Sequence, residues 1–228
     1  MCTIDHASRR LWLNQTIDDN VAQQICAALL AMTAADKDKP IRVYINSPGG
    51  TITSAYMIIN MMMSAEVTPP VWTTGLGMCY SAATLLLAAG EPGNRVVLED
   101  TTLMIHKLKR PGPVVPASMS TNADDEQLER EAVEAQLAAA ELKRKQERFL
   151  DKYVELTGQP KEKLRQDLAN DNYMSADEAV AYGLADMVRA RKPRPLTASH
   201  ATEPAEADAA AADDDVTITE PPAPAAAS

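Results

Sequence analysis

The chain has 228 residues, 46% hydrophobic but only 4% aromatic, so it can bury one sizeable core and that core must be aliphatic. Its formal charge of −10 is concentrated at one end: seven acids and no Lys or Arg follow Arg194, and removing those seven leaves −3. The remainder has no basic face to recommend nucleic acid, and no apolar run approaches the roughly 18 residues that a membrane span needs.

Met1 to Asn14 holds Arg9 and Arg10 but no continuous apolar stretch, so no signal peptide is expected. Cys2, Cys26 and Cys79 are spaced for neither a disulfide framework nor a metal site. A cytoplasmic, reducing location follows as the expectation.

In chain order, Arg9–Asn14 reads as a first strand preceded by a short stub. Cap-type residues over Thr16–Asp19 precede Val21, Ile25 and Leu29 at helical spacing, which predicts an amphipathic helix to about Thr33. Ile41–Asn46 is a second strand, broken sharply by Ser47-Pro48-Gly49-Gly50, and a helix with Ile52, Tyr56, Ile59 and Met63 along one side follows. Val71–Thr74 reads as a third strand that leads into Gly75 and Gly77, with a glycine turn before Ser81. Ser81 then opens a short apolar helix that stops at Gly90. Arg95–Glu99 and Thr102–His106 are two more short strands, and the alternation of strand and helix predicts a parallel α/β core.

The pattern dissolves between Lys107 and Ala123. From about Asp124 to Thr157 there is no Pro or Gly but much Ala, Glu, Leu, Lys and Arg, which predicts a helix roughly 50 Å long at 1.5 Å per residue. Such a helix is too long to be buried throughout in a domain this size, so it is expected to project and meet another chain. Pro160–Asn170 is a further short helix, and Ser175-Ala176-Asp177-Glu178 is a capping box opening a helix that ends near Gly183. From Lys192 onward, Ala, Pro, Asp, Glu, Ser and Thr dominate, as in a disordered acidic tail.

Two residues draw attention on chemistry alone. Ser81 is placed at a helix start, where unpaired N–H groups favour an oxyanion, although a small residue in a packed helix reads the same way. His6 lies in the stub and His200 in the tail, so His106 is the histidine of the folded body. It ends a predicted strand, where α/β sheets carry functional groups, and it reads equally as a structural residue. Gly50 offers a bare backbone N–H or simply a turn. Ser81 lacks the Gly-x-Ser-x-Gly frame of α/β-hydrolases, and no phosphate loop, zinc motif or dinucleotide fingerprint is present.

Tyr44-Ile-Asn-Ser-Pro-Gly-Gly-Thr51, Ser81 with Leu86-Leu-Ala-Ala-Gly90, Leu103-Met-Ile-His106 and Asp171-Asn-Tyr-Met-Ser-Ala-Asp-Glu-Ala-Val-Ala-Tyr-Gly-Leu-Ala-Asp186 occur in one order. Together they resemble the proteolytic subunits of Clp proteases, which are serine peptidases, over roughly Arg9 to Val188. The resemblance implies the α/β Clp-protease, crotonase-like fold of stacked βαβ units with a protruding handle helix. It divides the chain into a stub (1–8), a peptidase domain (9–190, handle about 107–157) and a tail (191–228).

It further implies Ser81, His106 and Asp171 as the catalytic triad, and backbone N–H groups of Gly50 and Ala82 as oxyanion donors. Nothing in the residues themselves selects Asp171 over Asp167 or Asp177, and Cys79 lies two positions off the register of the nucleophile. Tyr44 matches a position lining an ATPase-docking pocket. Stacked heptameric rings, peptide or unfolded-protein substrates, no metal or cofactor, and ATP used only by a separate unfoldase complete what is implied.

Three features depart from the family pattern. The segment before Arg9 is short, Ala82 and Ala83 replace the usual Met and Gly, and Pro111, Pro113 and Pro116 interrupt a normally glycine-rich strand. The alternatives are an inactive or regulatory subunit of a mixed ring, a specialised processing protease (a viral one, for example) independent of an ATPase, and an acyl-CoA-handling enzyme of the crotonase type.

Overall fold

β-branched and aliphatic residues at alternate positions build the central strands, and small aliphatic helices cover them. The computed structural model describes residues 2–108 and 125–191. The proline-rich stretch after Leu108 and the acidic tail therefore lie outside the described residues.

The elements run β1 (Cys2–Asp5), β2 (Arg10–Leu13), α1 (Asp19–Ala35), β3 (Ile41–Ser47), α2 (Ile52–Met62), β4 (Val71–Tyr80), α3 (Ala82–Ala88), β5 (Arg95–Leu98) and β6 (Thr102–Ile105). They continue with α4 (Asp125–Thr157), α5 (Lys161–Asp167), β7 (Asn172–Met174), α6 (Ala176–Tyr182) and β8 (Met187–Arg189). The sheet order is β1-β2-β3-β4-β5-β8, with β6 and β7 branching from β4. Pairings β2–β3, β3–β4, β4–β5, β4–β6 and β5–β8 are parallel, the core that the strand–helix alternation predicts. Burial alternates strictly along β3: Ile41, Val43, Ile45 and Ser47 are buried while Arg42, Tyr44 and Asn46 are half-buried.

Three expectations are corrected. The residues before Arg9 are not merely a stub, because Cys2–Asp5 pairs antiparallel with β2. The third strand does not end at Thr74 and no turn precedes Ser81, since β4 continues through both glycines to Tyr80. Two three-residue strands, β7 and β8, carry too few residues for a period to register.

Caps fall where the sequence places them. Asp18 accepts from Val21 N at 2.8 Å at the start of α1, the Ser175/Glu178 capping box opens α6, and Gly183 closes it at φ 89°. The long helix α4 spans 33 residues. Its last turns bury Phe149, Leu150 and Tyr153, whereas Val133 and Leu137 are exposed.

Arg95 ties the C-terminal ends of three helices together. Its guanidinium donates to the carbonyls of Ala88, Leu156 and Gly183 and pairs with Asp186 at 2.6 Å. Burial alone would raise the Asp186 carboxyl, but hydrogen bonds from Arg95 outweigh it and hold the group below the ordinary aspartate range. A depressed folded pKa contributes stability above the unfolded value of about 3.9 and loses it as pH falls through the folded value. Asp186→Asn is therefore expected to destabilise the fold at pH 7 by about 1–3 kcal/mol, read as a lower Tm. In thermal melts the gap between the two proteins closes below about pH 3.9.

Candidate active site

The site is made by a strand that changes neighbours half-way. Thr73–Gly75 of β4 pairs with β5, while Met78–Tyr80 pairs with β6. The β3–β4 register slips in between, from Ile45↔Gly75 to Ser47↔Cys79, a bulge that bends the strand. Gly77 takes φ +67°, and a Cβ there would lie 2.8 Å from Asn46 Oδ1, the atom that accepts the Met78 N–H at 3.1 Å. The bend delivers Ser81 to the junction of β4 and α3, beside the end of β6.

Ser81 has φ 54° and ψ −125°, a backbone that a side chain rarely adopts, at a cost of about 1–3 kcal/mol. Neighbours hold it there: its N–H donates to Met104 O at 2.7 Å and its carbonyl accepts from Thr84 N at 3.0 Å. Its hydroxyl lies 2.8 Å from His106 Nε2, and His106 Nδ1 lies 2.9 Å from Asp171 Oδ1. A carboxylate only accepts, so Nδ1 carries the proton and Nε2 is free to accept from the Ser81 hydroxyl. His106 is buried, while the Asp171 side chain is half exposed.

Strand pairing selects among the aspartates that the sequence left open. β7 runs antiparallel to β6 in the register Ile105↔Asn172, which sets His106 opposite Asp171. Asp167 is engaged elsewhere, accepting from Tyr182 OH at 2.7 Å and Lys163 Nζ at 2.6 Å. Asp177 lies in the first turn of α6. Cys79 is fully buried, and burial pushes its thiol far above the ordinary range, so it stays neutral.

The backbone around Ser81 is approached by the Ser47–Gly50 turn. Ser47 Oγ accepts from Gly49 N at 3.1 Å, and Ile17 brackets the turn by donating to Gly49 O at 2.8 Å and accepting from Thr51 N at 2.9 Å. Those bonds leave the Gly50 N–H facing away from Ile17, and Ala82 N is the first N–H of α3, which no helical carbonyl reaches. Gly49 is the residue that sequence reasoning missed. At φ +91°, a Cβ on it would meet Tyr80 O at 2.6 Å, Ser81 Cβ at 2.9 Å and Ala82 N at 3.2 Å. The glycine doublet was the available signal, but only the packing shows that both members make close approaches, Gly50 to Ile17 O, which a Cβ built there would strike, and Gly49 to the backbone around Ser81.

A cavity of about 380 Å³ flanks His106 and Asp171 and is lined also by Leu142 and Gln146 of α4. Tyr44 belongs to a separate cavity of about 400 Å³, where it stacks on Trp12 with ring centroids 4.2 Å apart. Among the described residues no cluster of His, Cys, Asp and Glu could hold a metal ion, and no helix is long and apolar enough to cross a membrane.

A hydroxyl aligned on a histidine that is aligned on a carboxylate, beside backbone N–H groups that donate no bond among the described residues, has the parts for acyl transfer. The Clp protease family model matches residues 5–192, and the chain belongs to that family of peptidases, with its mixed α/β, crotonase-like fold. Among curated proteins it is similar to "ATP-dependent Clp protease proteolytic subunit 1" of Corynebacterium glutamicum. The two are 37% identical over 180 residues, which cover 79% of this chain and 78% of that protein.

Gly49→Ala is expected to displace the turn from Ala82 and to strain its own backbone. Peptide hydrolysis should fall at least about 10²-fold, the scale of losing one oxyanion donor. A fluorogenic peptide assay checks this, with a melt to record the accompanying drop in Tm.

Proposed function

We propose that the chain is a serine endopeptidase that cleaves peptides or unfolded proteins within a ring-shaped chamber. The observation that carries this reading is the hydrogen-bonded line from Ser81 through His106 to Asp171. His106 Nε2 takes the Ser81 proton as Oγ attacks the scissile carbonyl. Asp171 keeps the proton on Nδ1 and stabilises the imidazolium that forms. The N–H groups of Gly50 and Ala82 receive the negative oxygen, each worth roughly 3–4 kcal/mol at such a site. His106 then protonates the leaving amine and, in the second half-reaction, draws the proton from the water that releases the acyl group.

Every group in these steps is supplied by the protein, so the reaction as drawn needs neither metal nor cofactor, and ATP enters only through a separate unfoldase. We assign the peptidase domain to 9–190 together with β1, which pairs into its sheet, with the handle at about 107–157 and 191–228 as an appendage. The exposed Val133 and Leu137 on α4 support self-association into rings, with stacked heptamers as the proposed assembly. The Trp12–Tyr44 cavity offers an apolar seat for a segment of a Clp-type ATPase.

A fluorophosphonate probe on the assembled protein tests the chemistry. Wild type should be labelled, Ser81→Ala should not, and Asp171→Asn should lose roughly 10⁴-fold in kcat while remaining folded. Ring-sized, well-folded wild type that takes no label would overturn the active reading and favour a regulatory subunit in a mixed ring. For docking, Tyr44→Ala should abolish stimulation by the ATPase and leave hydrolysis of a short peptide intact.

A further inference from the structure

The contacts made by the Ser81 carbonyl have no part in the steps above. The Ser81 carbonyl accepts from Thr84 N at 3.0 Å and Thr84 Oγ1 at 2.7 Å. Tyr153 OH also stands within 3.4 Å of it, but its single proton goes to the nearer acceptor, Thr84 Oγ1. Thr84 Oγ1 also contacts Tyr153 OH at 2.7 Å. A threonine hydroxyl has one proton. With that proton given to Ser81 O, the short Thr84–Tyr153 bond has Tyr153 as its donor. The result is a relay, Tyr153 OH to Thr84 Oγ1 to Ser81 O.

We propose that this relay aims and polarises the Ala82 N–H, which makes Tyr153 and Thr84 positioning residues for the oxyanion site. The proposal rests on the serine-peptidase reading. In a planar trans peptide the Ser81 C=O and the Ala82 N–H lie in one plane and point in opposite directions. Donors that fix the carbonyl therefore fix the N–H, and hydrogen bonds on an amide oxygen strengthen the same amide as a donor. The Ser81 torsions are those of a residue under strain, so this peptide plane needs restraint from outside.

The phenol itself argues for a use beyond packing. Tyr153 is wholly buried, edge-on to Phe149 at 5.0 Å, in a place where a phenylalanine ring would pack equally. A buried hydroxyl costs free energy unless it is bonded. Burial raises its pKa, which keeps it a protonated donor. Tyr153 also belongs to α4, whose earlier turns are exposed at Val133 and Leu137. The seating of α4 is thereby linked to the direction of a backbone N–H beside the nucleophile.

The test is peptide hydrolysis by assembled full-length protein, with kcat and KM separated and a peptide boronate as probe of the oxyanion site. Tyr153→Phe is expected to lower kcat about 3–10-fold and to weaken the boronate in step, with KM within about twofold and Tm unchanged. Thr84→Val should lose about 10–100-fold in kcat, and Thr84→Ser, which keeps the oxygen, should recover most of it. The double variant Tyr153→Phe/Thr84→Val should be no slower than Thr84→Val alone, because both act through one bond.

Wild-type kcat in Tyr153→Phe, a loss confined to KM, or losses that multiply in the double variant would each overturn the relay while the peptidase reading stands. Wild type that turns over no peptide would overturn both. Should Thr84→Val fail to assemble, the packing-neutral Tyr153→Phe decides.

Discussion

The bend in β4 is the constraint on which the site depends. A straight parallel strand would keep the same neighbours along its length, and β5 would then occupy the position that β6 needs. The register slip opposite Ile45–Ser47, with Gly77 at positive φ and Asn46 Oδ1 holding the Met78 N–H, lets one strand serve two partners. Its first half completes the main sheet. Its second half brings β6, and with it His106, alongside Ser81. Because β7 pairs with β6, the same bend also sets the position of Asp171.

Elsewhere in the fold, two arginines, Arg9 buried and Arg95 half-buried, satisfy loose backbone carbonyls. Arg95 collects the ends of α3, α4 and α6, and Asp186 neutralises it. Arg9, buried with a positive φ of its own, donates to Met32 O, Asp36 O, Lys39 O and Pro40 O around the end of α1. Helix C-termini leave carbonyls without intrahelical donors and carry partial negative charge. A guanidinium with five donors in a fixed fork meets both needs at once. The two arginines thus help anchor helices over an aromatic-poor core.

The long helix α4 has two characters along one sequence pattern. Its last turns pack against α3 through Phe149, Leu150 and Tyr153, and α5 is bound to it by Glu147 and Asp151 with Arg165 and Lys161. Its earlier turns expose apolar side chains to solvent. One helix thus has an exposed end and a buried end, and the buried end reaches Thr84 and the carbonyl of Ser81 through Tyr153.

The sequence by itself determined the parallel α/β class, the two main helix–strand units and most caps, because those follow from local period and local hydrogen bonding. It also determined Ser81 and His106 as candidates, one by its place before an apolar helix and one as the body histidine of a chain with three. Tertiary structure decided what depends on contacts distant in the chain. Asp171 was chosen by the β6–β7 register, sixty-five residues from His106. Gly49 became the glycine that closes on the backbone around Ser81 only when the turn was set against Tyr80 and Ala82. Tyr153 reads as one more apolar position of a helix until α4 lies on α3, sixty-nine residues from Thr84 in sequence. Local periodicity specifies which face of an element is buried, and only packing specifies which atoms on that face meet.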